Sequence, residues 1–468
     1  MASKVKVNTV ETESGSTLTL GKSGDTVTLA SGASQSGFGR TGTVDWDTTV
    51  KTASFTATSG DGFFVDTTSS AITVTLPASP SANDIVAIAD YAGTAATNNI
   101  TVARNGSNFE GGTSDGTIST NRQTVTLIYV DATQGWVAVN SNDSSFQQPL
   151  YVTATGGTVT TCGDFKIHTF TGPGTFCVSC GGNDSGSNTV DYLVVAGGAG
   201  GGDGSGQGGG GGGAGGFRAS ATTYSIASCA PAKPLTDCAS ALPVTAQGYP
   251  ITVGGGGNKG TGPGPGQGRG SNGSNSVFST ITSTGGGGGG EGSPTPVIAG
   301  APGGSGGGGG GRGYPQPNIG GSGNTPPVSP PQGSNGGEGR SAASPPSNDR
   351  GGGGGGARAN GSNAGNDPGG AGAGGAGAGL PSAFGTSGQN CGSLYYFSGG
   401  GGGGKDGGTP TGCTPGGLGG GGKGGKSASS GNSGTTNTGG GGGGNGTNSP
   451  TGGNGGSGIV IIRYKFQN

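Results

Sequence analysis

The sequence predicts an all-β protein: an N-terminal trimeric β-shaft and a β-sandwich or jelly-roll domain, then a small β-sheet that carries a bundle of polyglycine II helices. Three observations support this. Glycine accounts for 123 of the 468 residues, and six separate runs contain six glycines each. Short Thr/Val-rich segments with turn residues between them fill the chain before residue 143. An apolar strand pattern ends the chain at 459–466.

Residues 1–43 are predicted to form the shaft. Two short Thr/Leu strands, 17–20 and 26–29, flank a turn with the sequence Gly-Lys-Ser-Gly-Asp. Such strands cannot bury their apolar edges alone. We therefore expect three chains to supply a common core, which makes the protein a homotrimer.

Residues 44–142 show the pattern of a compact all-β domain. Turn signals separate seven candidate strands, and regular short strands of this kind are typical of a sandwich or jelly roll. Trp46 and Trp136, the only tryptophans, are expected to be buried here. The candidate strands are 53–58, 62–66, 72–76, 85–89, 100–103, 124–130 and 135–140.

A short linker, 143–150, is followed by a glycine-rich domain at 151–468. Its first strands lie within 162–196 and include a predicted hairpin of 165–170 with 175–178, turned at Gly-Pro-Gly. The final strand, 459–466, returns at the far side of the glycine region. We expect these strands to form one small sheet that brackets a polyglycine bundle at 197–458.

The six glycine runs are the strongest structural signal. A run of glycines in an ordinary helix or strand costs roughly 0.5–1 kcal/mol per residue relative to alanine. Six glycines suit the left-handed helix with three residues per turn, which rises about 3.1 Å per residue and has no internal hydrogen bonds. Its backbone must bond to neighbouring helices, so the runs predict a slab of packed helices. The runs are 208–213, 285–290, 306–311, 351–356, 399–404 and 439–444.

Several classes of function have little support in the residues. His168 is the only histidine and lacks a nucleophile motif, so we expect it to be structural. Carboxylates are sparse and scattered. The net charge is −2, without a basic nucleic-acid motif, and no stretch approaches the roughly 20 apolar residues of a membrane span. We predict no enzymatic activity, no cofactor and no nucleic-acid partner.

Seven cysteines leave at least one thiol unpaired. Cys177 and Cys180 have the spacing of a zinc or redox hook, but no second pair accompanies them, and a structural role is favoured. Two disulfides, Cys229 with Cys238 and Cys391 with Cys413, are each compatible with the spacing. The sequence leaves both pairings open.

Binding has better candidates. Aromatic and arginine residues lie between the glycine runs, and these residue types dominate binding hot spots, with Gly, Ser and Asn as adaptable neighbours. The alternative is that one aromatic per segment caps the apolar end of the slab. The candidate receptor-binding residues are Tyr395, Tyr396, Phe397, Tyr314 and Tyr224.

Three runs of residues resemble a known class. They are Ile167-His-Thr-Phe-Thr-Gly-Pro-Gly-Thr-Phe176, Asp191-Tyr-Leu-Val-Val-Ala-Gly-Gly198 and Gly455-Gly-Ser-Gly-Ile-Val-Ile-Ile-Arg-Tyr464. Together they are similar to the C-terminal glycine-rich domain of bacteriophage tail fibres and receptor-binding adhesins, especially those of marine phages that infect cyanobacteria.

The resemblance implies a homotrimeric virion tail fibre, assembled in the host cytoplasm and acting outside the cell. Residues 1–43 would attach to tail, baseplate or adaptor proteins. The glycine-rich domain would bind a host receptor, either a polysaccharide or an outer-membrane protein. The alternatives are an ice-binding polyglycine bundle, against which the irregular spacers argue, and a depolymerase-type fibre.

Overall fold

The computed structural model describes residues 44–141, 150–183, 186–204, 206–220, 235, 239–262, 268–293, 298–311, 318–340, 349–365, 370–405, 413–447 and 451–467. The chain divides into two compact units, Met1–Phe146 (unit 1) and Gln147–Asn468 (unit 2). The predicted shaft 1–43 and linker residues 143–149 lie outside the described residues. Among the described residues the one helical element is a 3-10 turn at Ser382–Phe384, so the all-β prediction is confirmed.

Unit 1 has nine strands among its described residues, 44–141. Two of them, β1 and β7, are absent from the prediction, because β1 carries three charged residues in seven and β7 is only three residues long. The strands are β1 Asp45–Lys51, β2 Phe55–Thr56, β3 Asp61–Val65, β4 Ile72–Thr75, β5 Ile85–Asp90, β6 Ile100–Ala103, β7 Gly116–Ile118, β8 Thr124–Asp131 and β9 Gly135–Ser141.

The chain of unit 1 winds alternately between two sheets. The first sheet has the order β1-β3-β5-β8-β9 and the second the order β2-β4-β6-β7. The pairs among β1, β3 and β5 are parallel, as are those among β2, β4 and β6. A jelly roll is antiparallel throughout. Unit 1 therefore has the two sheets of a sandwich, but its first six strands form a coil.

Inward side chains of both sheets form one core around Trp136, which is fully buried as predicted. The prediction for Trp46 is wrong, since this side chain is 40% exposed. Trp46 lies on the outer side of β1, where its ring covers Gly62: a Cβ on that glycine would lie 2.8 Å from the indole.

Unit 2 contains fourteen further strands among its described residues. They are β10 Val152–Thr155, β11 Thr158–Cys162, β12 Phe165–Phe170, β13 Gly174–Gly181, β14 Thr189–Val195, β15 Phe217–Ala219, β16 Leu242–Pro243, β17 Gly248–Thr252, β18 Ser276–Phe278, β19 Ile281–Ser283, β20 Ala378–Pro381, β21 Gln389–Cys391, β22 Leu394–Phe397 and β23 Ile459–Lys465.

Most of these strands form two sheets. One has five strands in the order β10-β13-β17-β18-β19, and the other has six, in the order β11-β12-β23-β14-β15 with β16 paired to β14. The predicted hairpin of β12 with β13 is wrong, because the two strands belong to different sheets. Both edges of β12 are occupied, one by β11 and one by β23. The last strand β23 thus lies in the middle of its sheet, between β12 and β14, so the predicted return of the chain is confirmed.

The two sheets share an aromatic core that includes Phe176, Phe278 and Tyr464. On its other side the β23 sheet packs against a second cluster, which contains Phe217, Phe397 and Ile461. A small third sheet, β20-β22-β21, contributes to this cluster and was not predicted.

The six glycine runs pack side by side, and every one of their glycines is buried. The run 208–213 is central. Its N–H groups donate with a three-residue period. Residues 209 and 212 donate to the carbonyls of 445 and 442, residues 210 and 213 donate to those of 290 and 287, and residue 211 donates to that of 352. Its carbonyls accept from three other segments, 197–202, 306–311 and 399–404. Six neighbours with a period of three define a threefold helix in a hexagonally packed slab.

Segments at the edge of the slab need glycine only on their inner side. In 254–260, residues Gly254, Gly257 and Gly260 are buried, while the residues between them are exposed or half-buried. This edge pattern Gly-X-X explains why the spacers between the six runs look irregular in sequence.

Asparagine side chains satisfy edge N–H groups with the same period. The Oδ1 of Asn272 accepts from Gly288 N–H at 2.9 Å, and that of Asn275 from Gly285 N–H at 3.0 Å. A buried N–H without a partner would cost about 1–3 kcal/mol, so these asparagines replace a missing neighbour helix. A second pair does the same elsewhere on the edge: Asn360 and Asn363.

Candidate functional site

The slab has two unlike ends. Some neighbouring runs are antiparallel. For example, the Gly308 and Gly311 N–H groups donate to the carbonyls of Gly211 and Gly208, so one run ascends where the other descends. At one end, which we call the sheet end, the runs meet the apolar cluster around Phe217. At the opposite end, which we call the far end, polar and charged residues directly adjoin the runs, and each is at most 6% exposed: Asp203, Glu291, Arg350, Lys405 and Asn445.

An acidic group occupies one part of the far end. The Oδ1 of Asp203 accepts from Asn445 Nδ2 at 2.5 Å and from Gly204 N–H at 2.7 Å. The Oδ1 of Asn445 accepts in turn from Gly209 N–H at 3.0 Å, which ties the acid to the central run. Burial raises the pKa of Asp203 despite these bonds. Burial also raises the pKa of Glu291, and the nearby charge of Asp203 adds to the rise.

A basic group occupies another part. The backbones of Lys405 and Lys426 pair in an isolated β-bridge, and Arg340 exchanges backbone hydrogen bonds of 2.9 Å with Arg350. Burial lowers the pKa of Lys405, and the charges of Lys426 and Arg350 lower it further. Side-chain bonds of the acidic group and backbone bonds of the basic group therefore link the ends of the helices to one another.

The far end is also where the chain leaves the slab and returns. Gly311 and Asn318, for example, border one such interval, and both bond to far-end backbone. The intervals differ in length and lie outside the described residues: 263–267, 294–297, 312–317, 341–348, 366–369, 406–412 and 448–450.

The predicted aromatic site divides between locations. Tyr395, Tyr396 and Phe397 lie on β22, paired with β20 and β21, and belong to the sheet end. Phe397 is 1% exposed, which favours the capping alternative for that ring. Tyr395 and Tyr396 are half-buried, and their contact with a receptor stays a prediction. Tyr314 and Tyr224 lie outside the described residues.

Sequence reasoning missed the far-end charges, although a signal exists. Each of the residues Glu291, Arg350, Lys405 and Asn445 directly follows or precedes a six-glycine run. The sequence favours arginines as contacts within the spacers, yet the described residues next to the runs are buried at the end of the slab.

His168 is fully buried, as a structural residue would be. Its Nδ1 donates to the Gly156 carbonyl at 2.7 Å, so its Nε2 accepts from the Tyr464 hydroxyl at 3.1 Å. The described cysteines, 162, 177, 180, 391 and 413, are free thiols, while 229 and 238 lie outside. No group of three or more metal-ligating side chains forms within the described ranges.

Among the described residues, no helix has the length and apolar character to cross a membrane. The structure thus defines a class: an all-β protein whose main unit is a polyglycine slab on a two-sheet base. Residues 171–465 match the glycine-rich domain family. The chain belongs to this family, since the match covers more than half of it. No curated protein matches the chain.

Proposed function

We propose that the protein is a virion tail fibre whose N-terminal end attaches to the phage tail and whose glycine-rich domain adheres to the host cell surface. The far end of the slab supports this most directly. The described residues that border seven intervals of unlike length and sequence, among them Gly311 and Asn318, lie at this end, on a frame held by backbone hydrogen bonds. Substitutions in such intervals leave the frame unchanged, which suits a protein that must follow a changing receptor.

Adhesion by such segments works through multiplicity. Three copies per fibre and several fibres per particle convert weak contacts into strong avidity. The interval 312–317 contains Arg312 and Tyr314, and three other far-end intervals contain one asparagine each, residue types that make adaptable contacts. We propose the far-end intervals as the main receptor surface, for a polysaccharide or an outer-membrane protein. Tyr395 and Tyr396 form a second, smaller candidate surface.

An antibody against residues 197–458 tests the location. Immunogold electron microscopy of virions that carry this gene should label the free ends of the tail fibres. Particles without label on their fibres would refute the proposal.

Variants of the recombinant chain test the surface. Replacing 312–317 and 406–412 by Gly/Ser segments of equal length should abolish the competition of the protein with phage adsorption. The matched control is the Tyr395→Ala, Tyr396→Ala double variant at the sheet end, which should compete nearly as well as the natural chain. The reverse ranking would assign the receptor surface to the sheet end instead.

A further inference from the structure

Four basic residues, which we call the basic row, lie side by side at the far end of the slab. Each belongs to a different helix, and each of these helices is bonded to the next. Arg340 exchanges backbone hydrogen bonds of 2.9 Å with Arg350, the residue before the run 351–356. The first glycine of that run donates its N–H at 2.8 Å to the carbonyl of the residue before Lys405. Lys405 in turn pairs with Lys426 in a β-bridge.

The hexagonal packing makes the basic row straight. The run 399–404 has 351–356 and 420–425 on opposite sides, because two other neighbours separate these helices in both directions. Those neighbours are 208–213 and 439–444 on one side, and 372–375 and 415–419 on the other. The run 351–356 lies in the same way between 399–404 and the segment 333–340. Hydrogen-bonded extended chains lie about 4.8 Å apart, so the four helix ends span about 14 Å.

The charges of the basic row are partly covered and partly open. Arg350 and Lys405 in its middle are at most 6% exposed, whereas Arg340 and Lys426 at its ends are half-buried. Lys423, one helical turn before Lys426, is exposed. Burial lowers the pKa of Lys405, and the charges of Lys426 and Arg350 lower it further. An anion bound along the row would relieve this repulsion and would reach the open cations directly.

Carboxylates are outnumbered along the basic row. Near its four helix ends the described residues include two of them, Asp349 and Glu338, against the five cations. A Cβ on Gly311 would lie 3.1 Å from the Cβ of Asp349, so this side chain lies beside the row and not in it. The acidic group of Asp203 and Glu291 is separated from the basic row by one row of helices, which includes the central run. Such a local excess of one sign of charge steers ligands of the opposite sign.

We propose that the basic row binds a linear acidic polysaccharide, which carries sulfate or carboxylate groups along its chain. Cations fixed at intervals of about 4.8 Å suit a polymer with repeated charges better than one small anion, which would contact only part of the row. The helices of the row contain no aromatic residue on which bases could stack, so a glycan fits better than a single-stranded nucleic acid. The inference rests on the proposed function, in which the far end is the receptor surface, and it names the chemistry of the receptor.

Binding of the full chain to immobilised dextran sulfate tests the basic row, with neutral dextran as the reference. The net charge of the chain is −2, so attraction to a polyanion must come from a local group. The natural chain should bind dextran sulfate and not dextran, and its affinity should fall as the salt concentration rises. An Arg340→Gln, Lys426→Gln double variant should raise the dissociation constant about 10-fold or more. The matched control Lys166→Gln, Lys465→Gln removes the same charge from half-buried positions on β12 and β23 and should change it less than about twofold.

Circular dichroism verifies that each variant keeps its fold. If the double variant unfolds, Lys426→Gln alone should still weaken binding about 3-fold, and Lys426→Arg, which keeps the charge, should restore it. Alginate is a second polymer probe, because it carries carboxylates in place of sulfates.

Binding to neither acidic polymer, equal binding to dextran, or an unchanged dissociation constant in the folded variants would overturn the proposal. Tighter binding of single-stranded DNA would also overturn it and would assign the row to nucleic acid. A chain that binds dextran sulfate through the row but does not compete with phage adsorption would count against the proposed function alone. A chain that competes with adsorption but binds neither polymer would count against this inference alone.

Discussion

Gly211 offers the sharpest test of the slab, because it lies in the middle of the central run. Its N–H donates to the Gly352 carbonyl at 3.0 Å, and its carbonyl accepts from Gly308 N–H at 2.8 Å. A Cβ on Gly211 would lie 2.6 Å from the carbonyl carbon of Gly401 and 2.9 Å from Gly354 N. Comfortable contacts between such atoms are about 3.5–4.0 Å, so the neighbouring helices must move apart by about 1 Å.

Such a movement breaks the bonds that Gly401 makes. Gly401 N–H donates to Gly212 at 2.9 Å, and its carbonyl accepts from Gly354 N–H at 2.8 Å. Each buried group left without a partner costs about 1–3 kcal/mol. We therefore expect Gly211→Ala to lower the free energy of unfolding by about 3–6 kcal/mol. The opposing gain from a stiffer unfolded chain is only about 0.4–1 kcal/mol.

The matched control is Gly255→Ala, in a glycine-rich edge segment where a Cβ would meet nothing within 4 Å. This variant should change the free energy of unfolding by no more than about 1 kcal/mol, in the stabilising direction. Urea titration followed by circular dichroism measures both. Tryptophan emission reports unit 1 alone, because both tryptophans lie there, and should be unchanged. Equal stability of the two variants would refute the packed slab.

Three further results are expected. Amide hydrogens of 208–213 should exchange with deuterium far more slowly than a random coil, since interhelix bonds protect them; random-coil rates at these glycines would contradict the fold. Burial lowers the pKa of His168 below its ordinary 6.5, so the unfolded chain takes up the proton first, and stability falls as the pH drops below 6.5. The melting temperature should fall more between pH 7.5 and 5.5 in the natural chain than in His168→Gln, and parallel losses would exclude this histidine. Asn275→Ala should cost about 1–3 kcal/mol by leaving Gly285 N–H unpaired, whereas Asn275→Asp, which keeps the acceptor, should cost less.

The elements that could be predicted are those whose structure is determined by adjacent residues in the sequence. A polyglycine II helix has no internal hydrogen bonds, so a hexaglycine run must bond to neighbouring helices. The slab could therefore be predicted from 208–213 and the other five runs. The apolar run 459–465 was recognised as a strand because its pattern is continuous. Pairing was harder. β12 and β13 are joined by a turn typical of a hairpin, yet β23, almost 300 residues later, takes the edge that the hairpin would have used.

The end of the slab to which a spacer belongs was harder to predict, for a similar reason. Tyr395, Tyr396 and Phe397 precede a glycine run, and the pattern alone does not tell which end of the slab that position joins. The answer depends on the direction of the run 399–404, which is fixed by its bonds to 208–213 and 351–356. Trp46 failed in the same way: its strand was not recognised, so its outward direction could not be assigned.

The number of neighbours around a helix decides how much glycine it needs. The run 208–213 has helices on six sides, and a Cβ at any of its glycines would meet neighbouring atoms in contact. In the edge segment 254–260, a Cβ would clash at Gly254, Gly256, Gly257 and Gly260 but would meet nothing within 4 Å at Gly255. A six-glycine run therefore marks an interior helix, and a Gly-X-X run marks an edge. Exposed edge positions such as 255 and 258 lie outside this requirement, so they can change without disturbing the bonds that hold the slab together.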